Sequence, residues 1–379
     1  MTRATRAVVD LSALQYNLQH IRSLAPASRI MAIIKADAYG HGSVRVARAL
    51  ANAAGQGAEG HGVEGFGVAR LDEAISLREA GITQPITLLE GFLEAVELPL
   101  IVQHQLTVVI HDPGQLAILE HAKLTAPLSA WLKIDSGMHR LGFPANAAKQ
   151  AWQRLSACTA ITPPIGLMTH LANADDRADA MTLAQLDCFN RAVDGLPGER
   201  AIANSAGIMA WPQTHSDWVR PGLMLYGVSP FSGGTAQQSG LKPVMTLSSK
   251  LIAKHQLKKG DTVGYGASWV CPEDMTVGVS AIGYADGYPR HATPGTPVLV
   301  NGKRVALIGR VSMDMICLDL RSQPAAQVGD PVVLWGTGLP VEEVASHAST
   351  IAYELLCGVA RRVKSVAVES AAEAIHGAR

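Results

Sequence analysis

Residues 31–42, MAIIKADAYGHG, run four apolar positions into Lys35 and follow it with Asp37, Tyr39, His41 and two glycines. A lysine at the tip of an apolar strand is ordinarily a solvated charge that marks the strand's end. If that tip opens instead into a partly dry mouth among other cations, the neutral amine becomes available as a nucleophile towards an aldehyde. That chemistry is Schiff-base formation, with either a carbonyl substrate or an aldehyde cofactor as partner.

The elements that would place Lys35 there can be read along the chain. Eight short apolar runs recur: MAIIK (31–35), GFGVA (65–69), PITLLEG (85–91), LTVVIH (106–111), WLKID (131–135), IGLMTH (165–170), RAIANS (200–205) and LMLYG (223–227). Helical patterns separate them, as in LDEAISLREAG from Leu71, where Gly81 supplies a stop. Continuously apolar strands alternating with helices indicate a parallel sheet covered on both faces. Eight units in this span fit a (β/α)8 TIM barrel, and an open doubly wound sheet is the alternative. The barrel is favoured by the polar residues at the ends of the runs: Lys35, Arg70, Glu90, His111, Lys133 with Asp135, His170, and Asn204 with Ser205. Polar groups delivered to the C-terminal ends of successive strands are what an active site in a barrel needs.

Beyond about residue 240 the texture changes. VNGKRV carries the Asn301-Gly302 hairpin signal, KKGDTVGYG and VGDPVVLWG read as short strands, and VEEVASHASTIAYELLCG reads as one late helix. The expected division is residues 1–240 as the barrel and 241–379 as a mostly β C-terminal domain. GQGAEG, residues 55–60, fits G-x-G-x-x-G but follows an Ala-rich helix and leads into a strand, the reverse of a dinucleotide fingerprint; it is expected to be a loop.

Composition narrows the function classes. The chain has 379 residues, 48% hydrophobic and 17% charged, enough to fill large cores. Thirty-two basic side chains balance thirty-two acidic ones, which leaves no electrostatic footprint for nucleic acid or an anionic membrane. No secretory signal or membrane-spanning stretch is legible, so a cytoplasmic protein is expected. Five cysteines lack CxxC spacing and are expected to be buried thiols; no metal site is expected.

Longer motifs carry a family resemblance. AIIKADAYGHG, LKIDSGMHRLGF, MTHLANAD, ANSAG, VRPGLMLYG, VGYGASW, IGYADGYPR and GRVSMDM occur in this order, and over nearly its whole length the chain resembles the alanine racemases. The resemblance implies pyridoxal 5′-phosphate as cofactor and interconversion of L-alanine and D-alanine, supplying D-alanine for peptidoglycan or consuming it. It also implies a homodimer whose active sites are shared between subunits.

By position in these motifs, Lys35 looks like the lysine that forms the internal aldimine and then serves as one catalytic base. Tyr265 looks like the opposing acid/base group, reaching the site from the partner subunit. An unperturbed phenol titrates near ~10, so such a group needs neighbours that favour its ionised form. Tyr39, Asn204, Ser205, Gly222, Leu223 and Tyr353 match phosphate-side contacts, whose hydroxyls and amides suit a group that only accepts. Arg220 matches the arginine facing the pyridine nitrogen, with His170 in the same network. A guanidinium only donates, so the nitrogen opposite it must stay unprotonated, which weakens the electron sink and should suppress transamination.

Arg140 and Met313 match substrate-carboxylate contacts, and Lys133 matches a lysine often carbamylated in the family. Tyr284, Arg290, Arg310 and Ile351 match an entrance corridor. Two departures stand out: Ser312 replaces a cysteine common before Met-Asp, and the glycine-rich segment 55–62 is longer than expected. Competing readings are a broader amino-acid racemase, acting on serine or basic substrates, and a non-catalytic pyridoxal-phosphate carrier. The carrier would need neither Tyr265 nor a second domain.

Overall fold

The strand–helix alternation resolves, in a computed structural model describing residues 4–52 and 62–369, into eight parallel strands closed into a barrel. They are Arg29–Ile33, Gly65–Val68, Ile86–Leu88, Thr107–Ile110, Ala130–Asp135, Gly166–Met168, Arg200–Ala201 and Trp218–Val219. Each pairs with the next, and Trp218–Val219 returns to Arg29–Ile33 to shut the cylinder. The strands are buried along almost their whole length because side chains fill the interior and helices cover the outside. The helix Leu71–Glu79 does this with Ala74 and Leu77, and the chain leaves it through Gly81.

The eighth strand departs from the sequence reading. LMLYG is not a strand: Leu223–Tyr226 is a 3-10 helix with all four side chains buried, and the strand is the preceding pair Trp218–Val219. The run is apolar because it packs under the helix Leu11–Leu24, whose Asn17 side chain donates to the Leu225 carbonyl. Residues 53–61, which hold the GQGAEG segment and nearly all of the glycine-rich stretch 55–62, lie outside the described residues.

The second sheet is mostly antiparallel. Met245–Leu257, Met275–Ser280, Ile316–Asp319, Lys303–Ile308, Pro297–Val300 and Pro331–Trp335 pair in a ring that closes on itself. Asn301 and Gly302 both take positive φ (52° and 75°), the two-residue turn expected of that dipeptide. The N-terminal strand Arg6–Asp10 joins this sheet, antiparallel to Met245–Leu257 and parallel to Lys364–Val368.

The expected single late helix is two, Val341–His347 and Ala352–Cys357. Ser349 adopts φ 51°, and the amides of Ser349 and Thr350 turn back to the carbonyls of Ser346 and Ala345. That is a Schellman stop with serine where glycine is usual. The second of these helices lies across the segment after Lys35: a β-carbon on Gly40 would stand 2.2 Å from the Leu356 carbonyl oxygen. Of the five cysteines only Cys158 and Cys271 are buried; Cys188 and Cys317 are half-buried and Cys357 is exposed, against the expectation that all would be interior.

Candidate active site

Lys35 comes just after the first barrel strand and opens a turn of unusual hand. Ala36, Asp37, Ala38 and Tyr39 all sit near φ 53° and ψ 41–51°, four consecutive left-handed residues without a glycine. For L-residues this costs ~1–2 kcal/mol each, so the surroundings must hold it. Ala36 N donates to Glu73 Oε1 at 2.6 Å, and Ser43 N donates to Asp37 Oδ1 at 2.7 Å. His41 Nδ1 lies 2.9 Å from the carbonyls of both Ala38 and Tyr39, so that nitrogen carries the proton. Burial lowers His41 to about 4, which keeps the ring neutral as it stacks on Tyr226.

The turn delivers Lys35 and Tyr39 to one cavity of about 1220 Å³ at the C-terminal rim of the barrel. Lys133, Arg140, His170 and Arg220 share it, and Lys35, Arg140 and Arg220 converge on Lys133; the acids Glu90, Asp175, Glu342 and Glu343 also line it. Burial, then Arg220, Arg140 and Lys35, lower Lys133 to about 8. The same causes, burial first, hold His170 well below its usual range, so its imidazole is neutral. Not every rim group turns inward. Arg70 pairs with Asp72, His111 bonds the Glu90 carbonyl, and Asp135 accepts from the amides of Gly137 and His139.

Arg220 continues the last barrel strand and is buried. Its Nη2 donates to the carbonyls of Thr169 (2.5 Å) and Ile202 (3.1 Å), while Nη1 is buried without a partner. Burial lowers this guanidinium to about 10, which leaves it charged at neutral pH. Beyond it, Ser205 Oγ accepts from the amides of Gly222 (3.0 Å) and Met224 (3.4 Å), and Asn204 caps the short helix Ser205–Ala210 through Gly207 N. The Tyr39 hydroxyl stands over Gly222, and its ring packs against Tyr226 and Tyr353. Burial pushes the Tyr39 phenol far above its ordinary range; burial and Asp175 raise Tyr353 to about 12. Both therefore remain hydroxyls. Tyr39, Asn204, Ser205, Gly222, Leu223 and Tyr353 thus form one wall, as the motif positions imply.

Sequence models of the alanine racemase N-terminal and C-terminal domains match residues 9–230 and 244–367. The chain belongs to the alanine racemase family. The alanine racemase of Nitrosococcus oceani is 56% identical over 359 residues, covering 94% of this chain and 98% of that protein. The crystal structure of the biosynthetic alanine racemase from Pseudomonas aeruginosa is similar with a TM-score of 0.92 and 43% identity, over 97% of this chain and 100% of that one. An alanine racemase from Bartonella henselae, solved with covalently bound pyridoxal phosphate, has a TM-score of 0.85 at 27% identity over 97% and 100% of the two chains. The (β/α)8 barrel with a mostly β C-terminal domain is therefore the alanine racemase architecture.

The remaining residues that the alanine racemase motifs single out lie elsewhere. Tyr265, Met313, Tyr284, Arg290 and Arg310 do not line the cavity; Ile351 does. Tyr265 is 68% exposed on the turn between Thr262–Val263 and Trp269–Val270, with the Arg310 side chain beside its neighbour Gly266. Met313 is 53% exposed, and the Tyr284 and Ala285 amides bond the carbonyls of Ser312 and Met313. These groups occupy the surface of the β domain. Two residues escaped the sequence reading. Asp175 lines the cavity inside the MTHLANAD motif, and Glu73 holds the Lys35 turn. The spacing of Glu73 from the start of its helix signals a cap, but nothing in the sequence signals its bond to Ala36.

Proposed function

We propose that this member of the alanine racemase family interconverts L-alanine and D-alanine with pyridoxal 5′-phosphate attached at Lys35, using Lys35 and a second protomer's Tyr265 as the two acid/base groups. The observation that carries the reading is the unpartnered, buried Nη1 of Arg220 in a cavity where Lys35, Arg140 and Arg220 converge on Lys133. A buried donor of that kind calls for an acceptor, and the local cluster of Lys35, Lys133, Arg140 and Arg220 favours an anion. An unprotonated pyridine nitrogen supplies the first and a phosphate the second.

Tyr39, Ser205, Gly222, Leu223 and Tyr353 would hold the phosphate with hydroxyls and backbone amides, Asn204 fixing the turn beneath them. When bound, pyridoxal phosphate supplies an electron sink that makes the substrate's α-proton removable. Arg220 keeps that sink moderate, because a charged donor leaves the ring nitrogen unprotonated. His170, neutral beside Arg220, accepts or donates within the network without adding charge.

Inversion needs a proton taken from one face and returned to the other. Lys35 serves one face from within the barrel. Tyr265 is exposed on the β domain, as is Met313, which supports their delivery into the barrel mouth of a second copy, with Tyr284, Arg290 and Arg310 at the approach and Ile351 at the rim. Arg140 would orient the substrate carboxylate. Lys133, lowered to about 8, has enough neutral amine to take up carbon dioxide, releasing a proton and forming a carbamate. The resulting anion would lie between cations and hold Arg140 in place. The relationship to the biosynthetic Pseudomonas enzyme favours supply of D-alanine for the wall over its consumption.

Borohydride reduction followed by peptide mapping tests cofactor, bond and residue together. The expected result is a pyridoxyl label on the peptide containing Lys35, abolished in Lys35→Ala. A label on another lysine, or a protein that takes up no pyridoxal phosphate, would overturn the proposal.

A further inference from the structure

Glu73 lies outside the cavity lining, in the first turn of the helix Leu71–Glu79. Its Oε2 accepts from the amides of Ala69 (2.9 Å) and Arg70 (3.1 Å), just past the second barrel strand. A carboxylate at this helix position folding back on the preceding amides is an ordinary capping device, complete with one oxygen. Here the other oxygen, Oε1, accepts from Ala36 N at 2.6 Å, on a different strand's end. The capping role gives no reason for that second bond.

Ala36 N belongs to the peptide unit joining Lys35 to the first of the four left-handed residues. Holding that amide fixes the peptide plane next to Lys35, and with it the direction in which the lysine leaves the backbone. The far end of the turn has its own restraints in Asp37 and His41. Among the described residues, the side chain bonded to the near end is Glu73. An ionised acceptor makes this a strong type of hydrogen bond. Without it, the left-handed backbone can relax at the end that carries the lysine.

We infer that Glu73 is a positioning residue for racemisation, a carboxylate bridge that ties the Lys35 turn to the adjacent barrel strand and sets where the lysine amine stands. The inference rests on Lys35 bearing the cofactor, as proposed above. Glu73 itself touches neither cofactor nor substrate.

The test compares holoenzyme of the unaltered chain with Glu73→Ala and Glu73→Gln, measuring kcat and KM for alanine, hydrogen exchange by peptide, and borohydride labelling. In Glu73→Ala, kcat should fall roughly 10- to 100-fold, the range expected when a reacting group is displaced by about an ångström, with KM much less affected. Exchange should quicken in the peptide covering residues 35–40 while the strand Gly166–Met168, across the barrel from Glu73, keeps its protection. Glu73→Gln preserves volume and one acceptor oxygen, so exchange should quicken in only one of the two segments, 35–40 or 69–70. It also serves as the deciding variant if Glu73→Ala does not fold. Unchanged kcat with unchanged exchange at 35–40 would overturn the inference. So would a loss of kcat accompanied by faster exchange throughout the barrel, which would mean a helix cap alone. Should the label in the unaltered enzyme fall on another lysine, the functional proposal fails, and the exchange data still decide whether Glu73 holds the turn.

Discussion

The Tyr39 hydroxyl stands so close over Gly222 that a β-carbon there would lie 2.6 Å from the phenolic oxygen and 3.3 Å from the ring carbon bearing it. Tyr39 has little room to yield, since Tyr226 and Tyr353 flank its ring at 4.8 and 5.9 Å between centroids. A substitution at Gly222 must displace the tyrosine or move the backbone. Gly222→Ala should therefore weaken retention of pyridoxal phosphate by roughly tenfold or more, about 1.4 kcal/mol, through displacement of the tyrosine hydroxyl. Equilibrium titration of the apoprotein with the cofactor measures this; an unchanged dissociation constant would separate Tyr39 from the phosphate.

Lys133 gives a pH dependence whose sign is set by its environment. Its amine is lowered from 10.5 to about 8 in the fold, so between these values the unfolded chain binds more protons and stability rises with pH. Below about 8 the full penalty stands, on the order of 3 kcal/mol for a buried group. In carbon-dioxide-free buffer, the stability difference between Lys133→Met and the unaltered apoprotein should thus be largest below pH 8 and shrink towards pH 10.5. Denaturant titrations at several pH values report it, and a flat difference would contradict the placement of the amine among three cations.

The proposed sharing of sites between two protomers makes an arithmetic prediction. Tyr265→Phe should keep the cofactor and the fold, because the ring is mostly exposed, while losing most racemisation, more severely in one direction. Lys35→Ala should be inactive as well. When the two inactive variants are mixed and allowed to exchange subunits, half the dimers are mixed, each with one intact site of two. About a quarter of full activity should return. No recovery after verified exchange would mean that both groups act within one chain.

Ser349 offers a test of the fold away from chemistry. It occupies the left-handed position of the Schellman stop between the two late helices, with no glycine to relieve it. Ser349→Gly should stabilise the chain by about 0.5–1 kcal/mol, raising Tm by roughly 1 °C in a protein of this size. Calorimetry checks the direction; a lower Tm would show that the serine side chain contributes more than the strain removes.

Seven barrel strands were legible because each is a continuous apolar run next to a helical pattern, and burial on both faces permits no other composition. The eighth was misplaced because Trp218–Val219 is too short to stand out, whereas LMLYG is apolar for a different reason: it is a buried 3-10 turn packed under the helix Leu11–Leu24. Lys35, Arg220 and the residues Tyr39, Asn204, Ser205, Gly222, Leu223 and Tyr353 were legible as motifs, and the fold brings them to one cavity. The role of Glu73 was hidden because no propensity assigns Ala-Asp-Ala-Tyr a left-handed turn, so the need for an external clamp appears only in three dimensions. Tyr265 illustrates the opposite limit. Its motif is plain, yet one chain leaves it exposed on the β domain and out of its own cavity.

The strand Arg6–Asp10 lies between Met245–Leu257 and Lys364–Val368, so the first and last strands of the described chain are neighbours in one sheet. During synthesis the barrel's residues leave the ribosome long before Lys364–Val368 exist, and the opening strand must wait with one edge unpaired. Contacts of such high sequence separation form late and slowly. A nascent chain can thus assemble its lysine-bearing cavity in part, but the barrel and the tyrosine-bearing domain are stitched into one unit only once Lys364–Val368 has been made.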